Sequence, residues 1–125
     1  MVATGIFDGR TALLVEDEPL IAMMIIDYLR EMGFGVIIEA RSAQFAFAHL
    51  MQATADVVLL DVHVEDGHTA TIAGMLNARG IPFVFMTGDP AAARKIGFDV
   101  PVVSKPFSPA ELHAGLAKAM SLEIG

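Results

Sequence analysis

Apolar residues along the chain alternate between short continuous runs and longer stretches in which they recur every three or four positions. The continuous runs predict five strands, at residues 11–15, 36–39, 57–60, 82–86 and 100–104. The periodic stretches predict a helix after each strand, at residues 19–33, 42–50, 69–79, 90–96 and 108–120.

Local signals indicate where several of these helices begin and end. Gly33 follows the first helix and is a favoured C-terminal cap, because glycine readily adopts the left-handed conformation. Ser108 and Glu111 have the spacing of a capping box at the start of the last helix. The fourth helix is short, since Gly97 ends it after less than two turns.

Apolar residues make up 54% of the chain, which is high enough that we expect the hydrophobic elements to be largely buried. In the second helix, capped by Ser42, the apolar side is expected to contain Phe45, Ala46, His49 and Leu50.

Strands that alternate with helices predict an α/β fold in which helices cover both faces of a parallel sheet. For five strands the common solution is a doubly wound, flavodoxin-like sheet with strand order 2-1-3-4-5. We therefore expect one domain over residues 1–125, with its core at about 11–121 and a shortened fourth helix.

Composition excludes several classes of protein. A net charge of −7 disfavours direct binding of nucleic acid, because phosphate-rich partners would be repelled. No apolar run is long enough to span a membrane, and there is neither a signal peptide nor a cysteine, so we expect a cytoplasmic protein. The four histidines lack the spacing of a zinc site, so any bound metal should have oxygen ligands.

Polar residues follow four of the predicted strands at their carboxyl ends. The first strand runs into Glu16 and Asp17, the third into Asp61, the fourth into Thr87, and the fifth into Lys105. Ligands of open parallel sheets bind at this edge, near the point where the strand order reverses. We therefore expect these side chains to converge on one site.

Carboxylates that lie close together raise each other's pKa unless a cation separates them. Magnesium binds one or two carboxylates and accepts phosphate oxygens as further ligands. Glu16, Asp17 and Asp61 supply such ligands, and the backbone carbonyl of His63 could complete the shell. The sequence thus predicts a Mg²⁺ site, with Mn²⁺ as an alternative.

Asp61 is also a candidate nucleophile, because an aspartate can form an aspartyl-phosphate. A phosphoryl group in transfer spreads charge over three oxygens, which need positive or hydrogen-bonding groups around them. The metal, the Lys105 ammonium and the Thr87 hydroxyl could each serve one oxygen, and Gly88 offers space and a backbone N–H.

With these residues in place, residues 11–120 resemble the receiver domain of bacterial response regulators. The resemblance rests on Glu16-Asp17, Asp61, Thr87 and the Lys105-Pro106-Phe107 motif. It implies that a histidine kinase or phosphotransfer protein phosphorylates Asp61, and that Thr87 then moves and reshapes the surface of the fourth helix, fifth strand and fifth helix.

The chain departs from the usual receiver pattern in its switch region. Val102 occupies the position of an aromatic residue, the loop after Asp61 lacks a proline, and the segment between Thr87 and Lys105 is short. Residues 85–88, Phe-Met-Thr-Gly, resemble the Phe-Ala-Thr-Gly motif of an atypical receiver subgroup that is often stand-alone. We therefore count Val102 and the His63 side chain as possible modulators.

The resemblance implies a stand-alone receiver, monomeric or weakly dimeric, that signals by protein contact or drains phosphate from a kinase. It would be no enzyme beyond its own phosphorylation and dephosphorylation. A receiver fold that no longer accepts phosphate is one alternative. A phosphohydrolase with an aspartyl nucleophile is another, but such enzymes carry a second aspartate two residues after the nucleophile, and the sequence here is Asp17-Glu18-Pro19.

Overall fold

The computed structural model describes residues 5–64 and 66–122 and confirms the α/β fold. Strands and helices alternate along the chain: β1 (Thr11–Val15), α1 (Pro19–Met32), β2 (Val36–Ala40), α2 (Ala43–Gln52), β3 (Val57–Asp61), α3 (Thr69–Arg79), β4 (Phe83–Thr87), α4 (Pro90–Ile96), β5 (Val102–Ser104) and α5 (Pro109–Ala119).

The five strands form one parallel sheet in the order β2-β1-β3-β4-β5, as predicted. From β1 the chain turns to one side to form β2, then crosses to the other side for β3. The carboxyl ends of β1 and β3 are therefore neighbours at the point where the winding reverses, with Val15 paired to Leu60. In a fold of this kind, that point is where ligands bind.

Residues of each inner strand alternate between two apolar layers, because successive side chains of a strand point to opposite faces. One layer, which includes Leu13, Leu60 and Phe85, packs under α2, α3 and α4. The other, which includes Leu14 and Leu59, packs under α1 and α5. Burial on both faces explains why β3 is apolar throughout until it ends at an acid.

Both β4 and β5 begin later than predicted, each directly after a proline. Pro82 has no N–H for the ladder, so β4 begins at Phe83. At its other end β4 extends one residue beyond the prediction, to Thr87. Val100 donates its N–H to the Phe98 carbonyl at 3.0 Å, and Pro101 again has none, so β5 begins only at Val102.

The predicted helix signals are present. Gly33 ends α1 with a φ of 105°, in the left-handed region that glycine tolerates. Ser42 caps α2 by accepting the Phe45 N–H, and Ser108 with Glu111 forms a complete capping box on α5. The fourth helix has only seven residues, which confirms the predicted shortening.

The prediction for the apolar side of α2 was wrong at Phe45, which is 53% exposed. The buried residues of α2 are Ala43, Ala46 and Leu50, which follow the i, i+3, i+7 spacing of one helical face. The apolar elements are otherwise largely buried, as expected. Among the described residues, the large apolar side chains that remain exposed are Leu20, Met23, Met24, Val36, Phe45, Phe47 and Met51.

The helices were also compared with what a membrane-spanning segment requires. Within residues 5–64 and 66–122, none of the helices combines the length and the apolar character needed to cross a bilayer.

Substitutions on α2 test which of its faces is buried. Leu50→Ala should lower the free energy of unfolding by about 2–5 kcal/mol, because it removes a fully buried side chain and leaves a cavity. Phe45→Ala should change it by no more than about 0.5 kcal/mol, as at other exposed positions. Chemical denaturation of both variants measures this, and equal losses would contradict the described orientation of α2.

Candidate functional site

Three carboxylates meet at the carboxyl ends of β1 and β3. The pairing of Val15 with Leu60 places Glu16, directly after β1, beside Asp61, the last residue of β3. Oxygens of Glu16, Asp17 and Asp61 all lie within 4.8 Å of one another. Glu16 is fully buried and Asp61 is 5% exposed, so two of the three carboxylates are largely removed from water. The convergence predicted from the strand ends is confirmed for these residues.

Lys105 directly follows the edge strand β5, and its side chain reaches this cluster. Its backbone N–H donates to the Thr87 carbonyl at 2.8 Å, which continues the β4–β5 ladder. Its Nζ donates to Glu16 Oε1 at 2.6 Å and to Asp61 Oδ2 at 2.9 Å. One ammonium thus bridges two buried carboxylates, which makes these charge-assisted hydrogen bonds stronger than neutral ones.

The Glu16 carboxyl is the group whose ionisation is most disfavoured. Burial raises the pKa of Glu16 to about 7, and the adjacent Asp61 carboxyl adds to the rise. Lys105 and the backbone N–H of Glu18, which donates to Glu16 Oε2 at 3.2 Å, act in the opposite direction. In the absence of a cation, Glu16 therefore holds a proton well above the usual range for a glutamate.

The pKa of Asp61 is shifted in the opposite direction, below its usual value. Burial by itself would raise the pKa of Asp61, but hydrogen bonds from the Glu16 carboxyl, the His63 backbone N–H and Lys105 together hold it below its usual value. For Lys105, burial favours the neutral form, but the hydrogen bonds to Glu16 and Asp61 outweigh it and raise the Lys105 pKa. Asp61 is thus an ionised carboxylate beside a fixed positive charge.

The charges and the donor atoms of the site fit a hard divalent cation. When Glu16 and Asp61 are both ionised, Lys105 offsets only one of their two negative charges. The donors are oxygens, which magnesium and similar ions prefer. A cation bound here would also allow Glu16 to ionise inside the protein, since an opposite charge favours the charged form.

Thr87 lies at this edge of the sheet, but its hydroxyl is engaged elsewhere. The Thr87 hydroxyl accepts the Asp89 N–H at 2.9 Å and donates to the Asp89 carbonyl at 3.2 Å. Asp89 is the N-cap residue of α4, without a side-chain capping bond. Gly88 is exposed, and a Cβ built on it would meet no atom within 4 Å, so there is open space beside its backbone.

The two possible modulators occupy different surroundings. His63 has an exposed side chain, and its backbone N–H donates to Asp61 Oδ1 at 2.9 Å. Its carbonyl as a metal ligand stays a prediction. Val102 is paired with Phe85 and packs, partly buried, against the apolar layer under α2, α3 and α4.

Two contacts made by residues that follow β3 were not predicted from the sequence. The Thr69 hydroxyl donates to the Asp61 backbone carbonyl at 3.0 Å, and Thr69 is buried at the start of α3. The Asp66 carboxylate accepts the N–H groups of Ala43 and Gln44, at the start of α2. An Asp-Gly pair in a loop indicates a turn, but it does not say which helix its carboxylate contacts.

Comparison with known proteins agrees with this geometry. The family profile described as "Response regulator receiver domain" matches residues 12–117. The phosphate regulon transcriptional regulatory protein PhoB of Pseudomonas aeruginosa is 33% identical over 116 residues, covering 86% of this chain and 50% of that protein. The phyllosphere-induced regulator PhyR of Methylorubrum extorquens is 29% identical, covering 86% and 42%. The chain thus spans about half the length of these curated relatives.

Solved structures of response regulators are also similar to this chain. The solution structure of SdrG from Sphingomonas melonis Fr1 superposes with a TM-score of 0.75 and 34% identity, covering 90% of this chain and 97% of that chain. The response regulator PhyR from Brucella abortus superposes with a TM-score of 0.77 and 29% identity, covering 90% and 48%.

The raised pKa of Glu16 predicts a pH-dependent cost to stability in metal-free buffer. The folded chain holds the Glu16 proton up to a pH of about 7, whereas the unfolded chain releases it near 4.5. Between these values the free energy of unfolding of the wild type should therefore fall relative to Glu16→Gln as the pH rises. Urea denaturation at several pH values measures the difference.

A matched control is Glu31→Gln, on the exposed surface of α1. It should follow the wild type at every pH. If the Glu16→Gln and wild-type curves ran parallel from pH 4.5 to 7, burial of Glu16 in its protonated form would be contradicted.

Proposed function

The chain belongs to the response regulator receiver family, and we propose on that basis that Asp61 accepts a phosphoryl group from a phosphohistidine donor in the cytoplasm. A Mg²⁺ ion, or Mn²⁺ in its place, would be held by Glu16, Asp17, Asp61 and the His63 carbonyl. Receiver domains are signalling domains that are generally not classed as enzymes. The phosphoryl group on Asp61 would therefore be a signal.

One observation carries the proposal: Lys105 bridges the buried carboxylates of Glu16 and Asp61. The contact holds Asp61 ionised, which a nucleophile needs, and it keeps a positive charge next to the carboxylate that would be phosphorylated. A protein that used these residues only for stability would have little reason to bury two acids around one lysine, since such pairs often cost as much as they contribute.

The transfer exchanges one bond to phosphorus for another. A carboxylate oxygen of Asp61 forms a P–O bond as the P–N bond to the donor histidine breaks, and the bonding electron pair returns to the imidazole nitrogen. A bound divalent cation would offset charge on the phosphoryl oxygens. The Lys105 ammonium would move from the Glu16 carboxylate towards a phosphoryl oxygen, because Glu16 would then have the cation as its partner.

The Thr87 hydroxyl must change partner to take part. It donates to the Asp89 carbonyl at 3.2 Å, a long hydrogen bond that a charged phosphoryl oxygen could replace. The N–H of the exposed residue Gly88 would be a second donor. Breaking the contact with Asp89 would free the start of α4, so Thr87 would link phosphorylation to the surface of α4, β5 and α5, in which Val102 is the first residue of β5.

Loss of the signal requires water to attack phosphorus, which releases inorganic phosphate and restores the Asp61 carboxylate. The exposed His63 side chain lies two residues after Asp61, where it could limit or assist the approach of water. The resulting lifetime would decide between two roles: signalling by contact with another protein, or draining phosphate from a kinase.

A donor must contact the rim of the site, because its phosphohistidine has to reach Asp61. The first turns of α1 start two residues after Asp17 and expose three apolar side chains, those of Leu20, Met23 and Met24. Leu20 is 81% exposed and Met23 62%. We propose that the donor, a histidine kinase or phosphotransfer protein, binds over this apolar rim.

Phosphorylation of Asp61 can be tested without knowledge of the donor. Incubation with acetyl phosphate and Mg²⁺ should add one phosphoryl group to the wild type and none to Asp61→Asn, and chelation of the metal should prevent the addition. Intact-mass measurement provides the result. A wild type that gains no phosphoryl group would indicate a receiver fold that only binds partners, and a gain that survives Asp61→Asn would place the modification elsewhere.

The donor surface can be tested by separating small from protein donors. Leu20→Ser combined with Met23→Ser should slow phosphotransfer from a kinase roughly tenfold, equivalent to about 1.4 kcal/mol, because apolar contact area is lost. Labelling by acetyl phosphate should not change. Met51→Ser, which alters an equally exposed methionine on α2, is the control. Equal losses with both donors would mean that the site itself, and not docking, was damaged.

A further inference from the structure

The loop between β3 and α3, described at residues 62–64 and 66–68, is attached to Asp61 at both of its ends. At the start of the loop, the His63 N–H donates to Asp61 Oδ1 at 2.9 Å. At its end, the buried Thr69 hydroxyl donates to the Asp61 backbone carbonyl at 3.0 Å. A change in the bonding of Asp61 therefore acts on this loop directly.

The middle of the loop is attached to a different element, the first turn of α2. The Asp66 carboxylate accepts the Ala43 N–H at 3.1 Å and the Gln44 N–H at 3.0 Å. Ser42 accepts the next one, that of Phe45. The first N–H groups of a helix have no partner within it, so two of the three that follow the cap of α2 depend on a residue more than twenty positions away.

Charge and packing favour the same attachment. A carboxylate at a helix N-terminus interacts well with the helix dipole. Burial alone would raise the pKa of Asp66, but the N–H groups of Gln44 and Ala43 lower it below its usual value. Beside this contact, the Val64 side chain is 4% exposed in the apolar cluster that also contains Ala43 and Ile72. The loop thus holds α2 through a polar and an apolar contact.

These contacts border an exposed apolar surface. Ala43, Gln44 and Asp66 help line a groove of about 240 Å³ between α2 and α3. Phe47, on the same groove, is 42% exposed, and Met51 is 66% exposed one turn further along α2. A displacement at the start of α2 would therefore change a surface that lies away from α4, β5 and α5.

We propose that Asp66 is a positioning residue that ties the loop after Asp61 to the first turn of α2, so that metal binding and phosphorylation at Asp61 are transmitted to the α2 surface. The inference rests on the proposed function of Asp61. Asp66 touches neither metal nor phosphoryl group; it acts through the loop that carries the His63 backbone. Coupling of this kind is reciprocal, so loss of the α2 contact should also weaken the site.

The reciprocal effect predicts a change in metal affinity. Asp66→Ala should weaken Mg²⁺ binding roughly tenfold, as loss of a group that orients metal ligands commonly does. Asp66→Asn should retain most of the affinity, because its amide oxygen still accepts a backbone N–H. Asp56→Ala is the matched control, since Asp56 also accepts a backbone N–H, that of Thr11 at 2.7 Å, but at the opposite end of the sheet. Calorimetric titration measures all four proteins.

The direct effect predicts a spectroscopic signature. In wild type, Mg²⁺ with beryllofluoride should shift the backbone amide resonances of Ala43 and Gln44 together with those of Thr87 and Lys105. In Asp66→Ala, the shifts at Thr87 and Lys105 should persist and those at Ala43 and Gln44 should be lost. The same spectrum checks that the Asp66→Ala variant is folded.

The outcomes separate the two proposals. If Ala43 and Gln44 respond equally in wild type and Asp66→Ala, or if Mg²⁺ affinity is unchanged in Asp66→Ala, then Asp66 does not couple the site to α2. A wild-type response confined to Thr87 and Lys105 has the same meaning. If none of these four amides responds in wild type, the proposed function of Asp61 fails, and the coupling fails with it.

Discussion

Repulsion between carboxylates, offset by one lysine, is the constraint on which the rest of this structure depends. A parallel sheet that reverses its winding between β1 and β3 brings Glu16, Asp17 and Asp61 to one point. Two of these acids are almost wholly removed from water. Lys105 offsets one charge, and the remaining excess would favour a divalent cation and, through it, the phosphoryl group that we propose for Asp61.

The fold buries this cluster and positions the groups that contact it. Both faces of the sheet are covered, so Glu16 has little access to water and its pKa rises to about 7. The β4–β5 ladder positions Lys105 for both carboxylates, and hydrogen bonds from the His63 backbone and Thr69 hold Asp61. The loop after Asp61 contacts the first turn of α2 through Asp66, and Thr87 contacts Asp89 at the start of α4. We propose that a change in charge at Asp61 reaches both surfaces through these contacts.

Much of this arrangement could be predicted from the sequence. Apolar runs that end abruptly in Asp61 or Lys105 predict the strands and the shared edge, because parallel strands place all their carboxyl ends together. The contacts of individual side chains are harder to predict. The contact of Asp66 with α2 and the exposure of Phe45 depend on the relative placement of elements, which local periodicity does not encode. The bond of Thr87 to Asp89 is local, but the sequence does not show that the hydroxyl contacts its own loop and not the carboxylates.

A crystal structure of the chain with Mg²⁺ and beryllofluoride would test the proposed phosphorylation of Asp61 most directly. We expect beryllium on a carboxylate oxygen of Asp61, with the metal held by Glu16, Asp17, Asp61 and the His63 carbonyl. Lys105 should then contact a fluoride instead of Glu16. A structure in which Lys105 kept both carboxylates, with neither metal nor beryllofluoride at Asp61 under saturating conditions, would contradict the account.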